Sequence, residues 1–214
     1  YIASHDLQEP LRTVSNYVQI LEEDFSSELP DEAKEHLNTI KCASNRMIVL
    51  VHTLLDFSRI GRNEKLTDVN CNELIDILKT DLQNLIKKNN ATLLVDNLPT
   101  IRAYKTELGQ LFQNLITNAI KFKKKDTAPE VEIGYKRDVF SHEFHVKDNG
   151  IGINPKYHDR IFNIFQKLNT DEEFEGYGIG LAHCKKIVEM HRGKIWVDSE
   201  LDKGTTFKFT ISNL

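Results

Sequence analysis

Cysteine is scarce and poorly placed for covalent or metal chemistry. The three residues, Cys42, Cys71 and Cys184, are odd in number, far apart and in no CxxC pair. The sequence therefore indicates neither a disulfide framework nor a zinc site, and a reducing, cytoplasmic setting fits best. Long apolar runs are missing as well. The most apolar stretch, Met47 to Leu55, is interrupted by His52 and is far shorter than the roughly 20 residues a membrane span needs, so no membrane contact is expected from this stretch of chain. An excess of one charge is also absent: 28 Lys and Arg stand against 32 Asp and Glu, a net −4. That balance gives no general attraction to nucleic acid or anionic lipid. There is no internal repeat and no low-complexity segment. What is present, 214 residues at 40% hydrophobic and 28% charged, excludes a disordered chain and exceeds one small core. It suits one large domain, or a helical module followed by a domain of about 150 residues. The chain begins at Tyr1 in an already helix-like pattern, and we read it as a fragment of something longer.

Ala3, Leu7, Leu11, Val14, Val18, Leu21 and Phe25 fall on one helical face. Ser26 to Pro30 breaks the pattern, and Asp31 with Glu32 suits a new helix N-terminus. The second stripe, Leu37, Ile40, Ser44, Met47, Val51, Leu54 and Ser58, ends at Gly61 after roughly 28 residues, or about 42 Å at 1.5 Å per residue. Two antiparallel helices cannot cover both stripes by themselves, so the simplest closure is a homodimer in which two hairpins form a four-helix bundle. The competing arrangement packs the hairpin on the rest of its own chain. We expect the bundle over residues 1–62, a linker over 63–67 and a mixed α/β domain over 68–214. Within that domain the periodicities predict a helix from about Asn72 to Lys88 and short strands over Ala91 to Asp96 and Thr100 to Tyr104. A helix over Thr106 to Lys123, capped by Thr106, follows, then a hairpin of Val131 to Arg137 with His142 to Lys147. A helix over Leu181 to His191 and closing strands over Gly193 to Ser199 and Thr205 to Ile211 complete the domain.

Several residues carry chemistry. His5 lies about 200° around the helix from Leu7 at 100° per residue and so points away from the apolar stripe, placed to act as a nucleophile, with Asp6 beside it to take a proton or hold the ring tautomer. Pro10 removes the N–H that would bond the Asp6 carbonyl and should kink that turn. Asn114 and Asn118, four residues apart, share one helical face with Lys121. A carboxamide oxygen is a suitable hard ligand for Mg²⁺, and the lysine is a point charge for phosphate. Asp148 follows a strand and precedes Gly150 and Gly152; a buried carboxylate there accepts from an amino group such as that of adenine, while glycines permit close backbone approach. Gly176, Gly178, Gly180 and Leu181 open a helix, an arrangement that receives phosphate oxygens. Each motif alone also has an ordinary reading as a solvent-facing histidine, a polar helix face or a turn.

In this order and spacing the motifs make the chain resemble the sensor histidine kinases of two-component signalling, whose ATP-binding fold is shared with the gyrase, Hsp90 and MutL ATPases. His5 to Arg12 resembles the family's H box, Asn114 to Lys121 its N box, Asp148 to Gly152 its G1 box, Arg160 to Lys167 its F box and Gly176 to Leu181 its G2 box. The Gln-Glu-Pro-Leu form of the H box is most similar to bacteriophytochrome and PAS-linked kinases. The implied fold is α+β: an N-terminal antiparallel helical hairpin forming a dimeric four-helix bundle, then an α/β sandwich that binds ATP.

The resemblance implies roles residue by residue. His5 is the expected phosphoacceptor and Asp6 its general base. Asn118, with Asn114, is expected to hold Mg²⁺ against the phosphates of ATP, and Lys121 to neutralise phosphate charge. Asp148 is expected to read the adenine amino group and Phe122 to pack against the base. Gly150, Gly152, Gly176, Gly178, Gly180, Leu181 and Thr206 complete the nucleotide site, and Phe162 with Phe165 anchors a lid over Asn163 to Gly176. Lys167 stands where many relatives carry an arginine, keeping the charge but not the planar fork. Asn114 stands where related ATPases place the glutamate that activates water, which favours transfer to histidine over hydrolysis. Glu9 stands where bifunctional members carry Thr or Asn, which puts a phosphatase activity in doubt. The implied partners are a second copy of the chain, the receiver domain of a response regulator and an upstream sensor domain. The competing function is a dimeric ATP-binding scaffold without phosphotransfer.

Overall fold

The computed structural model describes residues 2–25, 28–59, 65–138, 140–166 and 178–213, with side chains described except at 2–8, 46, 49–50 and 52–59. The chain divides into two compact units, residues 1–59 and 60–214. In the first, α1 (Ile2–Asp24) and α2 (Asp31–Arg59) pack together as an antiparallel hairpin, tied by Ser15 Oγ donating to Asn45 Oδ1 at 3.3 Å and by a Lys41–Glu22 ion pair. Helix α1 continues through Pro10. Gly61, the expected end of the second helix, lies outside the described residues. Val18 and Ser44 are buried between the helices, whereas Val14, Tyr17, Ile20, Leu21, Phe25, Ile40 and Met47 are exposed, Tyr17 at 65%. Among the described side chains, the hairpin by itself leaves these seven apolar residues in water.

The second unit runs β1 (Thr67–Asn70), α3 (Cys71–Asp81), α4 (Gln83–Asn89), β2 (Thr92–Val95), β3 (Thr100–Ala103), α5 (Lys105–Lys121), β4 (Glu130–Arg137), β5 (Ser141–Asp148), α6 (Gly180–Met190), β6 (Ile195–Glu200) and β7 (Gly204–Ser212). Strand β1, within a stretch read from sequence as linker and domain edge, pairs with β3; of its four residues only Val69 is buried, so it carries almost no alternation to read. The single helix expected over 72–88 is two, broken at Leu82. The break forfeits little, because Leu82 N–H still donates to the Leu78 carbonyl and the Leu82 carbonyl accepts from Ile86 N–H. Asn70, not a residue inside the helix, caps α3 by accepting from the N–H groups of Asn72 and Glu73. Helix α5 starts one residue earlier than expected, at Lys105, after Tyr104, so Thr106 is inside the helix and is not its cap.

Five strands form the main sheet in the order β2-β4-β5-β7-β6, antiparallel except for the β2–β4 pair. Its inner face meets α5 through Leu108, Leu111, Phe112, Leu115, Ile116, Ala119 and Ile120, spaced three and four apart and all buried. Phe112 sets its edge against two stacked rings, 5.6 Å from Phe144 and 5.4 Å from Phe209. The outer face is polar, with ion pairs such as Lys147–Glu132 and Lys208–Asp198.

His191, fully buried just after α6, joins three elements. Its Nε2 accepts from the N–H of Tyr104 at the start of α5 (3.1 Å), its Nδ1–H donates to the Ile187 carbonyl (2.8 Å), and its own carbonyl accepts from Ser212 N–H on β7. A backbone N–H can only donate, so Nε2 carries no proton and the ring is neutral. Burial holds its pKa below the ordinary 6.5, and the bond to Ile187 offsets only part of that shift. Below about pH 6.5 the unfolded chain takes up a proton that the native ring resists, so this contribution to stability declines as the pH falls through that value. The urea midpoint of the second unit, taken relative to that of His191→Gln, which cannot titrate at this position, should therefore drop between neutral pH and about pH 5.5; parallel profiles would refute the assignment.

Candidate functional site

At one end of the inner sheet face three polar residues stand in a row across three strands: Asp148 on β5 is opposite Thr205 on β7, and Thr205 is opposite Ser199 on β6. The Asp148 carboxylate is half-buried, and its Oδ1 accepts from Gly150 N–H (2.8 Å) and Thr205 N–H (3.1 Å). Burial pushes its pKa up from 3.8 to about 6 in spite of those two donors. The carboxylate is thus oriented by backbone bonds on one oxygen, an acceptor held ready beside the sheet end.

The loop after Asp148 needs its glycines for space. A Cβ on Gly150 would lie 2.3 Å from the Phe122 carbonyl oxygen, and one on Gly152, at φ +71°, 1.9 Å from the Glu200 carbonyl oxygen. Ile151 between them donates its N–H to the Phe122 carbonyl (3.0 Å) and accepts from Asp202 N–H (2.8 Å). The loop therefore lies clamped between the end of α5 and the β6–β7 turn. Asn149 braces the far side, its carboxamide bonding both Glu130 N–H and the Ala128 carbonyl at 3.0 Å.

Helix α5 brings Asn114, Asn118 and Lys121 to this end of the unit, all half-buried on the face its core residues leave free. Asn114 lies against the start of α6: a Cβ on Gly180 would stand 3.3 Å from its Oδ1. Lys121 Nζ sits 4.9 Å from the ring centroid of Phe122, the C-cap of α5. Leu181 packs on the core. Phe162 meets Phe207 edge-on at 6.3 Å, whereas Phe165, at φ +64°, is 53% exposed. Gly178, at φ +70°, approaches the Gln166 carbonyl so closely that a Cβ would lie 2.7 Å from its oxygen. The chain thus leaves at Gln166 and returns at Gly178 side by side. Lys167 and Gly176 lie outside the described residues, as do the side chains of His5 and Asp6, whose backbones belong to α1.

Thr206 does not join the Asp148 cluster. It pairs with Lys147 and Asp198 in the register of the outer face, because successive strand residues point to opposite sides. Its neighbour Thr205 is buried and touches Asp148 through its N–H. The sequence does not single out Thr205 or Ser199, which contact Asp148 and Thr205 respectively: a Thr-Thr pair at a strand entry shows no preference between faces until the register is known. Among the described residues no cluster of three or more His, Cys, Asp or Glu forms a metal site, and no helix is long and apolar enough to cross a membrane.

Comparison with known proteins agrees with this layout. Residues 103–213 match the family described as histidine kinase-, DNA gyrase B- and HSP90-like ATPase, and residues 1–63 match the His Kinase A (phospho-acceptor) domain. Cyanobacterial phytochrome A from Nostoc sp. is 46% identical over 99% of this chain, and phytochrome-like protein Cph1 from Synechocystis sp. is 42% identical over 99% of it. The chain spans 28% of the length of each. The structure of full-length ShkA in complex with AMPPNP superposes over 100% of this chain and 45% of ShkA, with a TM-score of 0.71 at 25% identity. The chain therefore belongs to the histidine kinase-, DNA gyrase B- and HSP90-like ATPase family and is the transmitter region of a sensor histidine kinase.

Proposed function

We propose that this chain uses ATP to phosphorylate its own His5 and then passes the phosphoryl group to an aspartate in the receiver domain of a response regulator. The observation that carries the reading is that α5 touches two glycine-led segments: the Phe122 carbonyl at its end holds the loop that follows the oriented acceptor Asp148, and Asn114 lies against Gly180 at the start of α6. Asp148 accepts from the adenine amino group, and Gly150 and Gly152 let the base approach the backbone. The N–H groups that open α6 at Gly180, with Gly178 before them, receive phosphate oxygens.

The donor set fits Mg²⁺: half-buried Asn114 and Asn118 offer hard carboxamide oxygens one helical turn apart, and Gly180 leaves room beside Asn114. When bound, the ion spreads the negative charge of the phosphates. Lys121 adds a point charge to the same end. A ring nitrogen of His5 attacks the γ-phosphorus, the bond from that phosphorus to the β-bridging oxygen breaks to release ADP, and the imidazole proton passes to Asp6. Asn114 has no base to offer a water molecule, which supports transfer to histidine over hydrolysis. Lys167, which lies outside the described residues, would supply charge to the γ-phosphate, and Phe162 with Phe165 would anchor the expected lid. The exposed apolar residues of α1 and α2 support a homodimer closed as a four-helix bundle. A sensor domain upstream would set the activity through that bundle.

The test is incubation of the purified chain with γ-labelled ATP and Mg²⁺. Acid-labile, base-stable label is expected on a species sedimenting at twice the chain mass of 24.7 kDa. Acid-stable label, or ATP turnover without phosphoprotein, would overturn the assignment.

A further inference from the structure

Ser199 has a single hydroxyl proton, and three groups lie within hydrogen-bond distance of its oxygen. Ile153 N–H donates to Ser199 Oγ at 2.8 Å, Ser199 Oγ lies 2.8 Å from the Gly204 carbonyl oxygen, and Thr205 Oγ1 lies 3.0 Å away. Their directions are determined. A carbonyl oxygen has no proton, so the Ser199 proton must go to Gly204, and the Ile153 N–H must occupy one Ser199 lone pair. The contact with Thr205 is then attractive only if Thr205 donates to the second lone pair. Ser199 thereby consumes the one proton Thr205 has, and Thr205 Oγ1 presents lone pairs alone on the face where its N–H already holds Asp148.

We propose that Ser199 is a specificity-determining positioning residue: by fixing the polarity of the Thr205 hydroxyl, it makes this end of the sheet an all-acceptor surface that selects a base bearing an exocyclic amino group over one bearing a carbonyl. This deepens the ATP reading and rests on it. A 6-amino purine offers donors to Asp148 and to Thr205. A 6-oxo purine sets its carbonyl oxygen against two acceptors. Without the Ser199 hydroxyl, Thr205 regains rotation, donates to that carbonyl, and the discrimination relaxes.

ATP and ITP isolate the effect, since they differ only by amino against oxo at C6 and by the proton on N1. Dissociation constants for both, with Mg²⁺, are measured by calorimetry on the unsubstituted chain, Ser199→Ala, Ser199→Thr and Thr205→Val. The preference for ATP over ITP should shrink about tenfold in Ser199→Ala, the worth of one hydrogen bond, and be retained in Ser199→Thr, which keeps the hydroxyl. If both nucleotides weaken equally in Ser199→Ala, with the preference unchanged, Ser199 is merely structural and the proposal fails. Should Ser199→Ala not fold, Thr205→Val decides, because it keeps the N–H to Asp148 but offers no acceptor: a reduced preference supports the proposal and an unchanged one overturns it. An unsubstituted chain that binds neither nucleotide overturns the ATP reading together with this inference. ATP preference with an unmoved ratio overturns this inference alone.

Discussion

His5→Gln is expected to abolish phosphoryl label on the protein, down to background, while leaving the dissociation constant for ATP unchanged. Glutamine approximates the size of histidine and can keep the turn of α1, but its carboxamide nitrogen is not a nucleophile, so the acceptor atom is lost without a large change in shape. The proposed nucleotide residues all lie in the unit over residues 60–214, which has its own core, whereas His5 belongs to the unit over residues 1–59. Binding and transfer should therefore separate cleanly. Label is read by acid and base stability and affinity by calorimetry. Acid-labile label persisting on the variant would move the phosphoacceptor to another of the eight histidines.

Asp148→Asn is expected to do the opposite of what most substitutions in a binding site do, raising the stability of the nucleotide-free protein while weakening ATP. The carboxylate is half-buried and burial holds its pKa near 6 rather than 3.8. A carboxyl whose native pKa is raised contributes stability that is fully present below about pH 3.8 and is lost as the pH rises through about 6, so at neutral pH the ionised group opposes folding. Asparagine removes that charge and its Oδ1 can still accept from Gly150 and Thr205. Its other atom, however, is a donor facing the donor of the base. Losing a hydrogen bond to a charged acceptor costs about 1.5–3 kcal/mol, which weakens ATP about 10- to 150-fold. In the unsubstituted chain ATP affinity should also fall as the pH drops below about 6, by up to about tenfold per unit, with no such inflection in the variant. A lower melting temperature with unchanged affinity would show that Asp148 is structural. This trade of stability for binding is expected where a site keeps an unfavourable charge for its function.

The helices of the first unit were legible because both stripes persist for many turns at one period, and the α5 pattern was legible for the same reason. Strand β1 and the break at Leu82 were not. A four-residue edge strand with one buried side chain has no period, and a break that keeps its neighbours' hydrogen bonds leaves the apolar spacing intact. Thr106 is a chemically reasonable cap, but the helix begins earlier, with Tyr104 at its N-cap and the Tyr104 N–H bonded to His191, 87 residues away along the chain.

The same division holds at the site. Asn114, Asn118 and Lys121 could be placed together from sequence because one helix sets their spacing by its own geometry, and Gly150 and Gly152 because only glycine tolerates a carbonyl that close. Those groups, taken in order with the stretches His5 to Arg12, Arg160 to Lys167 and Gly176 to Leu181, were enough for the sequence alone to determine the family. Only the tertiary structure could decide that Thr205 rather than Thr206 meets Asp148, and that Ser199 orients the Thr205 hydroxyl. The reason is physical: which face a strand residue occupies is set by its pairing register with a distant strand, and a one-residue slip reverses it.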